Sequence, residues 1–251
     1  MLSKEQILPA LNVKSTTWNG TGNFSQPLTI SFSFFSELPS YYLADTSLES
    51  TNFLNNVIDQ NTVEALNPAQ QQAFYKALLA WQSVADITFV NGGSNNPNAT
   101  ISVTGASFKW NADENRYPYA TTQSIMPNTQ DGANTRFGDL WLNTTHDSGL
   151  INQTLTNPGQ DGYETILHEM GHALGLDHPR NDPNSEDMLH TTMSYTKANI
   201  TYDGVQWYPS APMLYDILAI HTEIGDGARL CSSALKYSLY RWRKRCPVEP
   251  A

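Results

Sequence analysis

The chain has 251 residues, 39% hydrophobic, 11% aromatic and 15% charged, with a formal net charge of −10. That is enough apolar material for one sizeable core and argues against a disordered chain. The first 228 residues carry 23 acidic against 8 basic side chains, whereas residues 229–251 carry six basic ones against Glu249. An acidic body disfavours nucleic acid as a partner.

No apolar run approaches the roughly 18–20 residues needed to cross a bilayer, so no membrane span is expected. The opening MLSKEQILPALNVKS lacks a continuous apolar stretch, and no secretory signal peptide is expected there. The only cysteines, Cys231 and Cys246, lie in the tail, which excludes thiolate chemistry from the body. Their pairing is left open.

Taken in chain order, residues 1–17 read as a loosely anchored leader, and its removal as a pro-segment is an open reading. Leu28 to Phe34 alternates apolar and polar side chains, the period of a half-buried strand. Asn67-Pro68 opens a helix: Asn67 caps, Pro68 takes the first helical position, and Gln70 can close a capping box. Ala73, Ala77, Leu78, Trp81 and Val84 share one face of that helix. Short strands are expected at 87–90, 99–104, 117–122 and 138–143, set apart by Gly, Asn and Pro turns.

A second helix is expected from Asp161, with Glu164 as its capping partner and Gly175 ending it in a left-handed turn. A last helix is expected from Pro212 through Ile220, stopping near Gly225. Strand, helix, several strands, helix make an α+β domain in two lobes. The basic tail, 229–251, is read as a separate segment without an assigned role.

The chemistry is carried by residues 168–178. On a helix, His168 and His172 lie one turn apart on one face, about 5–6 Å between Cβ atoms. Two imidazoles so spaced can converge on one ion with Zn–N bonds of about 2.0–2.1 Å. Glu169 is rotated by one residue and does not chelate with them, but it can reach a water on the metal. Gly175 lets the chain leave the helix sharply, so that His178 can fold back as the third ligand. Three neutral nitrogens leave a position open, the arrangement of a catalytic zinc rather than a structural one. The five fixed positions have a chance occurrence on the order of 10⁻⁵ at this chain's own composition.

HExxHxxGxxH followed by a methionine turn resembles the metzincin metallopeptidases. Thr192-Met193-Ser194-Tyr195, with Met193 15 residues past His178, is similar to the Met-Ser-Tyr turn of the serralysin branch. The runs ALLAWQSVADITFV, GDLWLN, YETILHEMGHALGLDHP and APMLYDILAIHTEIG extend the resemblance over roughly residues 24–228. It implies a metzincin-type two-lobe catalytic domain. A twisted mixed sheet and two long helices would form the N-terminal lobe (18–178), and a small C-terminal lobe (179–228) would end in a helix.

The same resemblance implies a zinc metalloendopeptidase that cuts internal peptide bonds with metal-activated water. Glu169 would be the general base. Tyr195 would be a further zinc ligand that swings away to hydrogen-bond the oxyanion, and Met193 an apolar floor under the imidazoles. An extended peptide would lie on an edge strand, for which Tyr117–Thr122 is the candidate. Protein or peptide substrates, a monomer and an extracellular location are the expectations that go with this.

No GGxGxD repeat occurs in the chain, so the resemblance is to a catalytic module without the calcium-binding β-roll, and calcium is left open. His146, His190 and His221 are read as non-ligands, and Asp177 as an oxygen ligand only if His178 fails to reach. Asp216 is either a brace for the methionine turn or an ordinary cap or surface acid. The competing reading is a metzincin-fold peptide-binding module with weak or no turnover; a third is a metal-dependent hydrolase acting on something other than protein.

Overall fold

A computed structural model describes residues 28–46, 51–109, 120–122, 138–144, 156–179, 187–202 and 204–224. The leader, His146, Tyr117–Tyr119, Gly225 and the basic tail lie outside the described residues.

Strand β1 (Leu28–Phe35) runs parallel to β3 (Ile87–Ser94) on one side and to β4 (Ile101–Phe108) on the other. Strand β6 (Leu140–Asn143) is parallel to β4, and β5 (Ala120–Thr122) is antiparallel to β6. Among the described residues the order is β3-β1-β4-β6-β5, which places 120–122, the described part of the expected edge Tyr117–Thr122, at the end of the path. Strand β2 (Ile58–Glu64) pairs antiparallel with β4 at Gly105, Ser107 and Phe108, beyond the residues that β1 occupies. Because β1 is flanked on both sides and covered on both faces, its alternation gives way to an unbroken buried run from Phe32 to Phe35.

Four α-helices accompany the sheet among the described residues: α1 (Ser40–Ala44), α2 (Pro68–Gln82), α3 (Asp161–Ala173) and α4 (Leu214–Ile224). The expected capping box of α2 is present: Gln70 N–H donates to Asn67 Oδ1 at 2.9 Å, and Asn67 N–H to Gln70 Oε1 at 2.8 Å. Its expected face is buried at Ala73, Ala77, Leu78 and Trp81, with Val84 packed at the margin. This face meets α3, where the Trp81 indole N–H donates to the Leu167 carbonyl at 3.1 Å.

Side-chain alternation along β4 and β6 divides the core between the two sheet faces. Ile101, Val103, Leu140 and Leu142 join α2 and α3 on one face, whereas Ala106, Phe108 and Trp141 join Tyr42, Phe53 and Leu54 on the other. This is the mixed sheet with two long helices expected of an α+β metzincin domain.

Some elements differ from expectation. Strand β2, helix α1, the π-helical turn Phe53–Val57 and the small hairpin of β7 (Thr201–Tyr202) and β8 (Val205–Gln206) carry no clear periodic signal. The strand expected at 99–104 runs instead from Ile101 to Phe108.

At α3 the expected cap is corrected. Gln160 occupies the N-cap, no side chain caps the helix, and Asp161 is its first helical residue. That one-residue shift carries Glu164 past the position from which it could reach back, and its side chain is buried instead. The last helix begins at Leu214, where Asp216 Oδ2 accepts the Met213 N–H at 2.7 Å.

Candidate metal centre

Helix α3 supplies the first two imidazoles on one face, with ring centroids 4.7 Å apart. Each is oriented through its Nδ1. The His168 Nδ1–H donates to the Thr192 carbonyl and the His172 Nδ1–H to the Leu176 carbonyl, both at 2.8 Å. This leaves the Nε2 lone pairs facing inward. Beyond the helix, Gly175 adopts φ 103°, a conformation costly for side chains with a Cβ. Leu176 N–H then closes back on the Gly171 carbonyl at 3.0 Å. The reversal brings His178 Nε2 to 3.1 Å from His168 Nε2 and 3.0 Å from His172 Nε2.

Three imidazole nitrogens this close repel unless a cation or a shared proton stands between them. Tetrahedral bonds of about 2.0–2.1 Å to one ion would separate them by roughly 3.3–3.4 Å, close to the observed spacing. Burial, reinforced by His172 and His178, holds the His168 pKa well below the usual imidazole range, which favours the neutral, ligating form. Among the described residues this is the one His/Cys/Asp/Glu group whose ligand atoms converge in this way. The donor set and its spacing fit zinc.

Around the histidines, Glu169 is buried at the next position of α3. Tyr195 is 65% exposed, yet its ring lies 4.4 Å from that of His178 and stacks at 5.3 Å, 20° from parallel, on that of His168. Met193 is fully buried. Its thioether presses on α3 at Gly171, where a Cβ would collide with the Met193 sulfur and come within 3.3 Å of Trp81 Cζ2. Gly171 is a residue that motif reasoning passes over, because it fills an unspecified position between the two histidines.

Asp216 resolves as both brace and cap. It is fully buried and accepts from the Thr191 hydroxyl, from Thr192 N–H at 2.8 Å and from Met213 N–H. Burial nonetheless raises its pKa to about 6. Thr192 thus joins Asp216 to the imidazole of His168, since its carbonyl takes the Nδ1–H.

The remaining candidates are engaged elsewhere. Asp177 Oδ1 accepts the His178 N–H at 2.8 Å and is not in the converging group. His190 pairs with Asp187 at 2.9 Å, and His221 Nε2 meets the Val84 carbonyl at 2.5 Å. Glu164, expected as a capping partner, lies one turn before His168 with Oε1 buried and no hydrogen-bond partner among the described residues. Nothing in the sequence pattern announces that burial.

The family model described as Matrixin matches residues 50–206. The chain is 29% identical over 226 residues to "Serralysin" of Proteus mirabilis, covering 82% of this chain and 42% of that protein. It is 27% identical over 240 residues to "Serralysin C" of Dickeya chrysanthemi, covering 89% and 44%. To "Metalloprotease AprA" of Pseudomonas entomophila it is 29% identical over 178 residues, covering 59% and 32%. The chain therefore spans less than half the length of these relatives.

Proposed function

The chain belongs to the matrixin family, and on that premise we propose that it is a zinc-dependent metalloendopeptidase of serralysin type, hydrolysing internal bonds of protein or peptide substrates. The observation that carries this reading is the convergence of His168, His172 and His178 within 3.0–3.1 Å at Nε2, beside a carboxylate that is not part of the ligand set. Zinc, when bound, supplies Lewis acidity that polarises a carbonyl and makes water nucleophilic near neutral pH.

The chain's own groups do the rest. Glu169, next to His168 but rotated from the ligand face, takes the proton of the attacking water and passes it to the departing amine. Tyr195, exposed, stacked on the His168 ring and tilted against that of His178, turns its hydroxyl towards the oxyanion that develops on the substrate. Met193 keeps water from beneath the imidazoles. The substrate extends along the free edge of β5, with the cleft between lobes 18–178 and 179–228. A monomer acting outside the cell completes the proposal. Among the described residues no helix is long and apolar enough to cross a membrane.

The test is digestion of casein by the purified full chain with and without a chelator, alongside Glu169→Ala. The expected outcome is chelator-sensitive digestion restored by zinc, and a variant that binds zinc stoichiometrically without digesting. Digestion indifferent to chelator, or a Glu169→Ala rate equal to the parent, refutes the mechanism. Stoichiometric zinc without hydrolysis of any peptide points to a binding module.

A further inference from the structure

Tyr195 is 65% exposed, so the place of its ring depends more on where its backbone is held than on packing around it. On its amino-terminal side lies the buried turn at Met193 and Ser194. On the other side Thr196 is tied locally: its N–H donates to Ser194 Oγ and its carbonyl accepts the Met188 N–H, both at 3.0 Å. Beyond it, Lys197 Nζ donates to the Tyr208 hydroxyl at 2.8 Å and stands 5.2 Å from the centre of that ring. Tyr208 lies beside Lys197 because the chain turns back through β7 and β8. Trp207 N–H donates to the Ile200 carbonyl at 3.0 Å, and the Gln206 side-chain amide to the Ala198 carbonyl at 2.7 Å.

The same contact reaches α3. Burial raises the carboxyl of Asp161, the first residue of that helix, above the usual carboxylate range, against the charge of Lys197 and a hydrogen bond from the Tyr208 hydroxyl. Two residues on, the Tyr163 hydroxyl donates to the Ser210 carbonyl at 3.3 Å and fastens the stretch after Tyr208 to the helix. Asp161 precedes His168 by seven residues, about 10 Å along the axis. The segment after Tyr195 is thus strapped to the helix that carries His168, the imidazole on which the Tyr195 ring stacks. Resting on the role given to Tyr195 above, we propose that Lys197 and Tyr208 are positioning residues: they hold that segment to the first turn of α3, so that the Tyr195 ring stays against the His168 and His178 imidazoles with its hydroxyl on the substrate side. Lys197 is exposed, and such a contact weights the positions of the ring by about fivefold at most. That is enough to set a rate and too little to decide whether the chain folds.

The experiment has two arms on the zinc-loaded full chain, and the first needs no turnover. Tyrosine is supplied with a carbon-13 label in its ring, and the Tyr195 signal is identified by its loss in Tyr195→Phe. The neighbouring imidazole rings displace that signal from the position of a tyrosine in water. In Lys197→Met, and in Tyr208→Phe, which keeps the ring of residue 208 and removes only its hydroxyl, the signal should move towards the position of a tyrosine in water. Both variants should melt within a few degrees of the parent. An unmoved signal in either variant overturns the inference, and the bonds of Thr196 to Ser194 and Met188 then suffice to place the ring.

The second arm compares peptide hydrolysis. In Lys197→Met and in Tyr208→Phe, kcat should fall about fivefold with KM near that of the parent and zinc content unchanged. Introduced into Tyr195→Phe, Lys197→Met should change kcat little, because the hydroxyl it positions is already gone. An equal fall in both backgrounds is what general loosening of the loop produces, and it overturns the inference. A ring signal that moves as expected, in a protein that digests no peptide, keeps the positioning role and refutes the endopeptidase reading instead.

Discussion

Asp139 immediately precedes β6, fully buried, and accepts the Ser102 N–H on Oδ1 at 2.6 Å and the Tyr41 hydroxyl on Oδ2 at 2.8 Å. Burial raises its pKa from 3.8 to about 7, the hydrogen bonds offsetting only part of the desolvation. The folded chain thus holds this proton more tightly than the unfolded chain. Its contribution to stability is fully present below about pH 3.8 and is lost as pH rises towards 7, at about 1.36 kcal/mol per pH unit. The whole loss is about 4 kcal/mol, a large share of a typical domain's stability.

Asn at this position keeps an oxygen for Ser102 and offers an amide to the Tyr41 hydroxyl, which can reverse its role. Urea denaturation of parent and Asp139→Asn across pH 4.5–8.5 should show a difference that is small at the acid end. It should grow to a few kcal/mol in favour of the variant above pH 7. Zinc linkage is common to both proteins and cancels in that difference. A difference that stays constant with pH refutes the reasoning, whatever its size.

Gly171→Ala drives a methyl group into the Met193 sulfur and should cost about 1–3 kcal/mol by overpacking, read by denaturation, with weaker zinc binding read by chelator competition. Asp216→Ala strands the donors at Thr191, Thr192 and Met213. It should cost about 3 kcal/mol or more, and through Thr192 and His168 it should lower zinc affinity about 10–100-fold. Tyr195→Phe keeps the stacked ring and removes the hydroxyl. Turnover should fall about 10²-fold with zinc content unchanged, and an unchanged rate would reduce Tyr195 to a packing role.

What could be read in the sequence was local. Asn67 and Gln70 cap α2 as expected because donor and acceptor sit three residues apart on one chain segment. His168 and His172 face each other because helical spacing puts them there, and Gly175 turns the chain so that His178 follows. What could not be read depends on distant partners or on a single residue of register. Glu164 satisfies a capping pattern if the helix is capped by Asp161, but Gln160 takes that place and Glu164 turns into the interior. Strand β2, with the sequence IDQNTVE, is fully buried only at Ile58 and owes its conformation to pairing with β4 rather than to its own pattern. The fit of Met193 against Gly171 joins residues 22 positions apart, so only the folded chain reveals why glycine stands there.

The helix by itself supplies two imidazoles with freely rotating rings, which is not yet a metal site. Their orientation comes from two carbonyls outside α3: Leu176, placed by the turn at Gly175, and Thr192, held by Asp216 of α4. The third nitrogen also arrives only after that turn. Trp81 of α2 also fixes α3, through the Leu167 carbonyl. The ligand geometry thus depends on packing contributed by α2 and by the 187–216 segment, and the energy of metal binding is in part their folding energy. Zinc should therefore stabilise the contacts of Thr191, Thr192 and Met213 with Asp216 as well as the histidines. In amide hydrogen exchange, Thr192 and Met213, both donors to Asp216, should gain protection on zinc binding together with α3. Protection confined to α3 would mean that the helix binds the ion without the rest of the fold.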